Sequence, residues 1–193
     1  TMLSLFLLIF TTATFASPSL DLSANSVILI DTTTGQTLYE KEANSKQYPA
    51  SLTKILTAII TLEECQLTDT VKVTEKAVMS VPVGSSSGYF QAGETVTVEQ
   101  LLYALLVESG NDAANILAEH IAGSNASFAA MMNTKAKELG ANNSNFVNPH
   151  GLYDDNHYTT AYDLYLIFNE AIKYPEFINT IACKKYTNNA YNP

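Results

Sequence analysis

Two side chains of complementary chemistry stand three residues apart in Pro49-Ala50-Ser51-Leu52-Thr53-Lys54. A serine hydroxyl becomes a good nucleophile only when a neighbouring base takes its proton. A lysine near its reference pKa of about 10.4 is already protonated at neutral pH. Burial against apolar neighbours disfavours the ammonium, so a lysine sunk into a core can act as that base. The three-residue offset stacks Ser51 and Lys54 on one face of a helix. The competing reading is a capped helix with a surface lysine, because composition alone supplies on the order of one accidental S-x-x-K in a chain this long.

The elements that must position this pair are legible nearby. Leu52, Ile55, Leu56, Ile59 and Leu62 recur at three- and four-residue steps and predict one buried helical stripe. Pro49 lies two residues before Ser51, where a helix start tolerates its missing N–H. The helix is therefore expected to begin close to Ser51, with the free N–H groups of its first turn pointing outward.

A second polar group, Ser109-Gly110-Asn111, falls between two apolar-periodic stretches. Thr97-Val98-Glu99-Gln100 is a capping-box pattern, and Leu101, Leu102, Leu105 and Leu106 carry the helix behind it to near Glu108. Ala113, Ala114, Leu117 and Ile121 predict a further helix ending at Gly123. Ser109 and Asn111 are thus expected on a short connection pinned by rigid elements, a good place to hold catalytic groups. The tripeptide alone says little, since S-x-N also occurs at Ser23-Ala24-Asn25.

The remaining elements frame the fold. Ser26 to Asp31 and Thr37 to Ala43 predict an antiparallel hairpin around Thr32–Gln36, with both faces of the apolar first strand covered. Val71–Thr74 and Thr95–Thr97 predict short strands flanking Pro82 and the loop Gly84–Gly88. That Gly/Ser run has no G-K-[ST] and reads as loop, not phosphate cradle. Phe128, Met131, Met132, Ala136 and Leu139 predict a helix before Gly140. Thr159 or Thr160 caps the next, through Leu164, Ile167 and Phe168 to Ile172; Pro175 breaks it, and Phe177 to Ala182 forms a short last helix.

Composition bounds the class. The 193 residues are 47% hydrophobic and 15% charged, which excludes disorder and is enough for one domain with a substantial core. A net charge of −9 without a basic patch argues against a nucleic-acid partner. His120, His150 and His157 have no metal-ligand spacing, so no metal or other cofactor is implied. Cys65 and Cys183 are expected as buried free thiols. Leu3 to Ala16 has signal-peptide length, and Thr14-Phe15-Ala16 offers a cleavage site, so residues 1–16 predict export to the cell envelope, although no Lys or Arg precedes the apolar run.

The longer strings P-A-S-L-T-K, L-L-Y-A-L-L-V-E-S-G-N-D-A-A-N and N-P-H-G-L carry a family resemblance. Together they resemble the low-molecular-mass penicillin-binding proteins, the serine-type D-alanyl-D-alanine carboxypeptidases, from about Ser26 to Ala171. The resemblance implies an α/β fold of the α+β type shared with β-lactamases, a helical cluster packed on an antiparallel sheet. It implies that Ser51 attacks the carbonyl between two terminal D-alanines of a peptidoglycan stem peptide and forms an acyl-enzyme that water resolves. Lys54 is then the proton acceptor, Ser109 the relay to the leaving amine, and Asn111 the group that holds the substrate amide and orients Lys54. The Ser51 N–H supplies one oxyanion donor, and β-lactams acylate the same serine. His150 and His157 match recurrent positions and take structural roles.

One departure stands out: no K-T-G, K-S-G or H-T-G occurs in these residues, and Thr33-Thr34-Gly35 belongs to the hairpin turn. In the family that motif lies on a later strand and binds the substrate carboxylate. The expectation is therefore an N-terminal fragment, with residues 17–193 a partial catalytic domain and its sheet incomplete, any membrane association resting on a C-terminal anchor outside these residues. Two alternatives remain at this point. A class A β-lactamase is disfavoured by Gly110 where S-D-N is typical and by the lack of E-x-x-L-N. A non-catalytic cell-wall or β-lactam-binding module is favoured by the missing K-T-G and opposed by the intact Ser51, Lys54, Ser109 and Asn111.

Overall fold

The apolar stripe after Lys54 becomes the central helix. In the computed structural model, which describes residues 20–187, Ala50–Leu52 form a 3-10 turn that runs directly into α1, Thr53–Glu64. The expected signal peptide, 1–16, lies outside the described residues. Leu56, Ile59 and Ile60 are buried, as are Thr53, Lys54, Thr57 and Thr61. Polar burial is tolerated where a partner exists: the Thr57 hydroxyl donates to the Pro149 carbonyl at 2.7 Å and Thr61 to the Thr57 carbonyl at 2.8 Å. Leu52 departs from the predicted stripe. It belongs to the 3-10 turn, whose tighter winding rotates it outward, and it is 51% exposed.

Helices enclose α1 on several sides. They are α3 (Val98–Leu106), α4 (Asn111–Ala122), α5 (Asn125–Glu138), α6 (Ala161–Ala171) and α7 (Pro175–Ile181), all in contact with it. Leu101 and Leu105 from α3, Leu117 from α4, Phe128 from α5 and Ile167 from α6 fill the shared core with Leu56. The capping box is formed as expected: Gln100 N–H donates to Thr97 Oγ1, and Thr97 N–H donates to Gln100 Oε1 at 2.7 Å. Of the two candidate caps for α6 it is Thr160 that accepts from Asp163 N–H, because Thr159 pairs through its backbone with Gln47. Boundaries moved at the functional connection. α3 ends at Leu106, before Glu108, and Asn111 is the first residue of α4 and not part of the loop.

Strands form two small antiparallel pairs at the edge of the cluster. β1 (Val27–Asp31) pairs with β2 (Gln36–Lys41) around a turn in which Asp31 accepts from Thr33 N–H, with a register shift between Leu29 and Ile30. β3 (Thr70–Lys72) pairs with β4 (Thr95–Thr97). The expectation that β1 is covered on both faces is not met: α6 packs beside it, β2 is its one paired strand among the described residues, and Leu29 is 52% exposed. An apolar run by itself cannot tell a central strand from an edge. Between β3 and β4 lies a helix that periodicity does not reveal, α2 (Glu75–Met79), too short for a repeat and capped by Thr74. Cys65 and Cys183 are free, and each is half-buried where burial was expected.

Candidate active site

Ser51 sits exposed in the 3-10 turn that leads into α1, while Lys54, one turn on, is only 2% exposed. The surface-lysine reading fails here. Burial holds the Lys54 ammonium well below its usual range, at about 8, partly offset by the negative charge of Asp112. Lys54 Nζ lies 3.3 Å from Ser51 Oγ, 3.2 Å from Ser109 Oγ and 2.9 Å from the His150 carbonyl oxygen. Ser109 Oγ lies 2.9 Å from Ser51 Oγ, which closes a triangle of two hydroxyls and one amine. As the ammonium, Lys54 donates to all three acceptors. As the neutral amine it keeps an N–H for the carbonyl and can turn its lone pair to a serine proton, the arrangement of an activated nucleophile.

Backbone conformation aims the two hydroxyls. Among the described non-glycine residues with positive φ are Ala50, at 49°, directly before Ser51, and Ser109 itself, at 57°. Left-handed backbone disfavours a residue with a Cβ, so neighbours must hold it there. Gly110 N–H donates to the Ala104 carbonyl and Asn111 N–H to the Ser86 carbonyl, fixing the loop on either side of Ser109. Asn111 is buried at the first position of α4, but its side chain makes no hydrogen bond to Lys54. In this arrangement Lys54 Nζ is held by the His150 carbonyl together with the two serine hydroxyls.

That carbonyl is delivered by a turn built from N-P-H-G-L. Asn148 Oδ1 accepts from Gly151 N–H at 2.7 Å and Asn148 Nδ2 donates to the Leu152 carbonyl at 2.9 Å, tying the turn to itself. The adjacent carbonyls of Pro149 and His150 then face Thr57 and Lys54 on α1. Gly151, at φ 87°, comes so near Ala50 that a Cβ there would meet its carbonyl oxygen at 1.8 Å. His157 braces the turn from behind. Its Nδ1 accepts from Val147 N–H, so its proton is on Nε2, which donates to Thr53 Oγ1 at 2.8 Å. Burial lowers the pKa of His157, and burial with the Lys54 charge brings that of His150 to about 4, so both rings are neutral beside the lysine. The His150 ring is tied to the same turn, its Nδ1 accepting from Leu152 N–H at 3.1 Å.

Sequence reasoning missed Asp112, Thr57 and the carbonyl of His150. A carboxylate in the first turn of α4 was the signal available for Asp112; a main-chain carbonyl leaves none. Ser51, Lys54 and Ser109 share a groove of about 520 Å³ whose walls include Leu105, Phe168 and Phe177.

Comparison with known proteins identifies the family. The D-alanyl-D-alanine carboxypeptidase family matches residues 11–192. The chain is 40% identical over 156 residues to D-alanyl-D-alanine carboxypeptidase DacF of Bacillus subtilis, which covers 78% of this chain and 39% of that protein. Among solved structures, penicillin binding protein 6B from Escherichia coli superposes with a TM-score of 0.82 at 35% identity, over 91% of this chain and 58% of that one. A mutant of the Streptomyces K15 DD-transpeptidase superposes with a TM-score of 0.83 at 32% identity, over 88% and 69%. The chain spans about two fifths of the length of DacF and of the Escherichia coli relative DacC. With the family matching almost every residue from 11 on, the chain belongs to the D-alanyl-D-alanine carboxypeptidase family.

Proposed function

We propose that the chain carries the nucleophilic centre of a serine-type D-Ala-D-Ala carboxypeptidase acting on peptidoglycan stem peptides. The observation that carries the reading is the triangle of Ser51 Oγ, Lys54 Nζ and Ser109 Oγ, with all three edges between 2.9 and 3.3 Å and the amine buried. Ser51 Oγ attacks the carbonyl of the penultimate D-alanine and its proton passes to Lys54. The C–N bond then breaks, the lysine proton reaches the leaving amine through Ser109, and terminal D-alanine departs. Water attacks the resulting ester by the reverse proton path and frees Ser51. The Ser51 N–H serves as one oxyanion donor and Asn111 faces the substrate amide. No residue of this chain is assigned to the substrate carboxylate. β-Lactams, whose amide is attacked in the same way, acylate Ser51. Such a reaction belongs outside the cytoplasm, and export through residues 1–16 is part of the proposal.

The test is intact mass after penicillin treatment of the protein expressed from its complete reading frame. One drug mass added to the wild type and none to Ser51→Ala, with D-alanine released from a D-Ala-D-Ala peptide, is the expected result. A folded wild type that takes up no drug overturns the reading, and rapid turnover of the drug without an adduct replaces it with a β-lactamase.

A further inference from the structure

The strongest group left over from the mechanism is a buried carboxylate, Asp112, 2% exposed in the first turn of α4. Three of its four hydrogen bonds run to one segment distant along the chain, and the fourth to its own neighbour. Oδ1 accepts from Gly88 N–H at 2.7 Å and from its neighbour Ala113 N–H at 2.9 Å; Oδ2 accepts from the Ser87 hydroxyl at 2.7 Å and from Phe90 N–H at 3.2 Å. Segment 86–90 would otherwise leave two backbone donors unsatisfied in a half-buried place. The same segment returns a contact to the site, because the Ser86 carbonyl accepts from Asn111 N–H at 3.0 Å. Between the two lies Gly110, packed so closely that a Cβ would stand 2.9 Å from Asp112 Oδ1 and 3.0 Å from Gly88 N. Ser109, left-handed at φ 57°, is next in line.

We propose that Asp112 is a positioning residue for the acyl transfer: by clasping segment 86–90 to the start of α4 it holds Ser109 Oγ between Ser51 Oγ and Lys54 Nζ. The proposal rests on the reading of Ser51 as the acylated nucleophile. An aspartate suits the task better than an asparagine. Four donors converge on its two oxygens, and an amide nitrogen in place of Oδ2 would face the Phe90 N–H donor to donor. Asp112 is also the carboxylate whose field supports the charge on Lys54, so it touches the chemistry electrostatically as well as through the loop. The other ionisable groups around Lys54 are His150 from the turn and His157 behind it, both neutral above their lowered pKa values.

The experiment compares wild type, Asp112→Asn and Ser87→Ala, each expressed from the complete reading frame, in the rate of penicillin acylation across pH, with amide exchange of segments 86–90 and 109–111. For Asp112→Asn the expected result is an acylation rate lowered by about tenfold or more, faster exchange in both segments, and an acid limb moved to lower pH because Lys54 has lost its supporting charge. For Ser87→Ala the expected result is a smaller loss, about threefold, with the acid limb unmoved, since the carboxylate remains. A folded Asp112→Asn whose acid limb stays in place, or whose rate stays within about threefold of wild type, overturns the proposal. If Asp112→Asn does not fold, Ser87→Ala decides by itself: unchanged rate and exchange overturn it. A wild type that takes no adduct refutes the reading of Ser51 instead, and the exchange comparison still tests the clasp.

Discussion

Replacing Gly151 by alanine tests whether the N-P-H-G-L turn sets the geometry of Ser51 and Lys54. At φ 87° an alanine carries left-handed strain of about 1–2 kcal/mol. The added carbon would start 1.8 Å from the Ala50 carbonyl oxygen, 2.4 Å from its carbon and 2.8 Å from Thr53 Oγ1. The two nearest atoms are one backbone carbonyl, which cannot swing away as the Thr53 side chain can, and reaching 3.0 Å from it requires the turn and the 3-10 segment to part by about 1.2 Å. Overpacking of this kind costs about 1–3 kcal/mol, so the total is about 2–5 kcal/mol of stability. The separation also withdraws the His150 carbonyl from Lys54 and moves Ala50, the residue before the nucleophile. A misplacement of about 1 Å at reacting groups costs about a hundredfold in rate. Urea unfolding gives the first quantity and the time course of penicillin adduct formation the second. A Gly151→Ala protein within about 1 kcal/mol and about threefold of wild type would refute the claim that this turn positions the site.

Ser109→Ala removes the bridge between Ser51 and Lys54 and should lower the acylation rate by about a hundredfold with little change in drug affinity; a loss under about threefold in single-turnover kinetics contradicts a relay role. The rate itself should rise with pH to a plateau above a midpoint near 8 and fall about tenfold per pH unit below it, because in the proposed mechanism only neutral Lys54 accepts the serine proton. A midpoint near the ordinary lysine value would show that burial leaves the amine unperturbed. Stability should respond to pH in another window. The pKa of His150 is depressed on folding from 6.5 to about 4, so the unfolded chain binds the proton first. Stability from this group is complete above pH 6.5 and drains away toward pH 4, by at most about 3 kcal/mol. His150→Gln should flatten that slope in denaturant titrations at several pH values, and an unchanged slope would assign it to other groups.

What the amino-acid order decided about this protein is local. The helix after Pro49, the capping box Thr97/Gln100, the stop at Gly123 and the facing of Ser51 toward Lys54 all follow from spacings of three or four residues, which covalent geometry turns directly into proximity. Spacing also showed that Ser109 follows a helix, yet it misplaced the helix ends, since the left-handed turn at Ser109 is imposed by neighbours and not by its own preference. The family resemblance named Ser109 and Asn111, but their geometry was decided only in three dimensions. Lys54 meets Ser109 across 55 residues and the His150 carbonyl across 96, and Asp112 draws in Ser87 from 25 residues before it. Whether Lys54 is a surface cation or a buried base depends on helices α3 to α7 closing around α1. Desolvation is a property of everything packed around a group, and no window along the chain contains it.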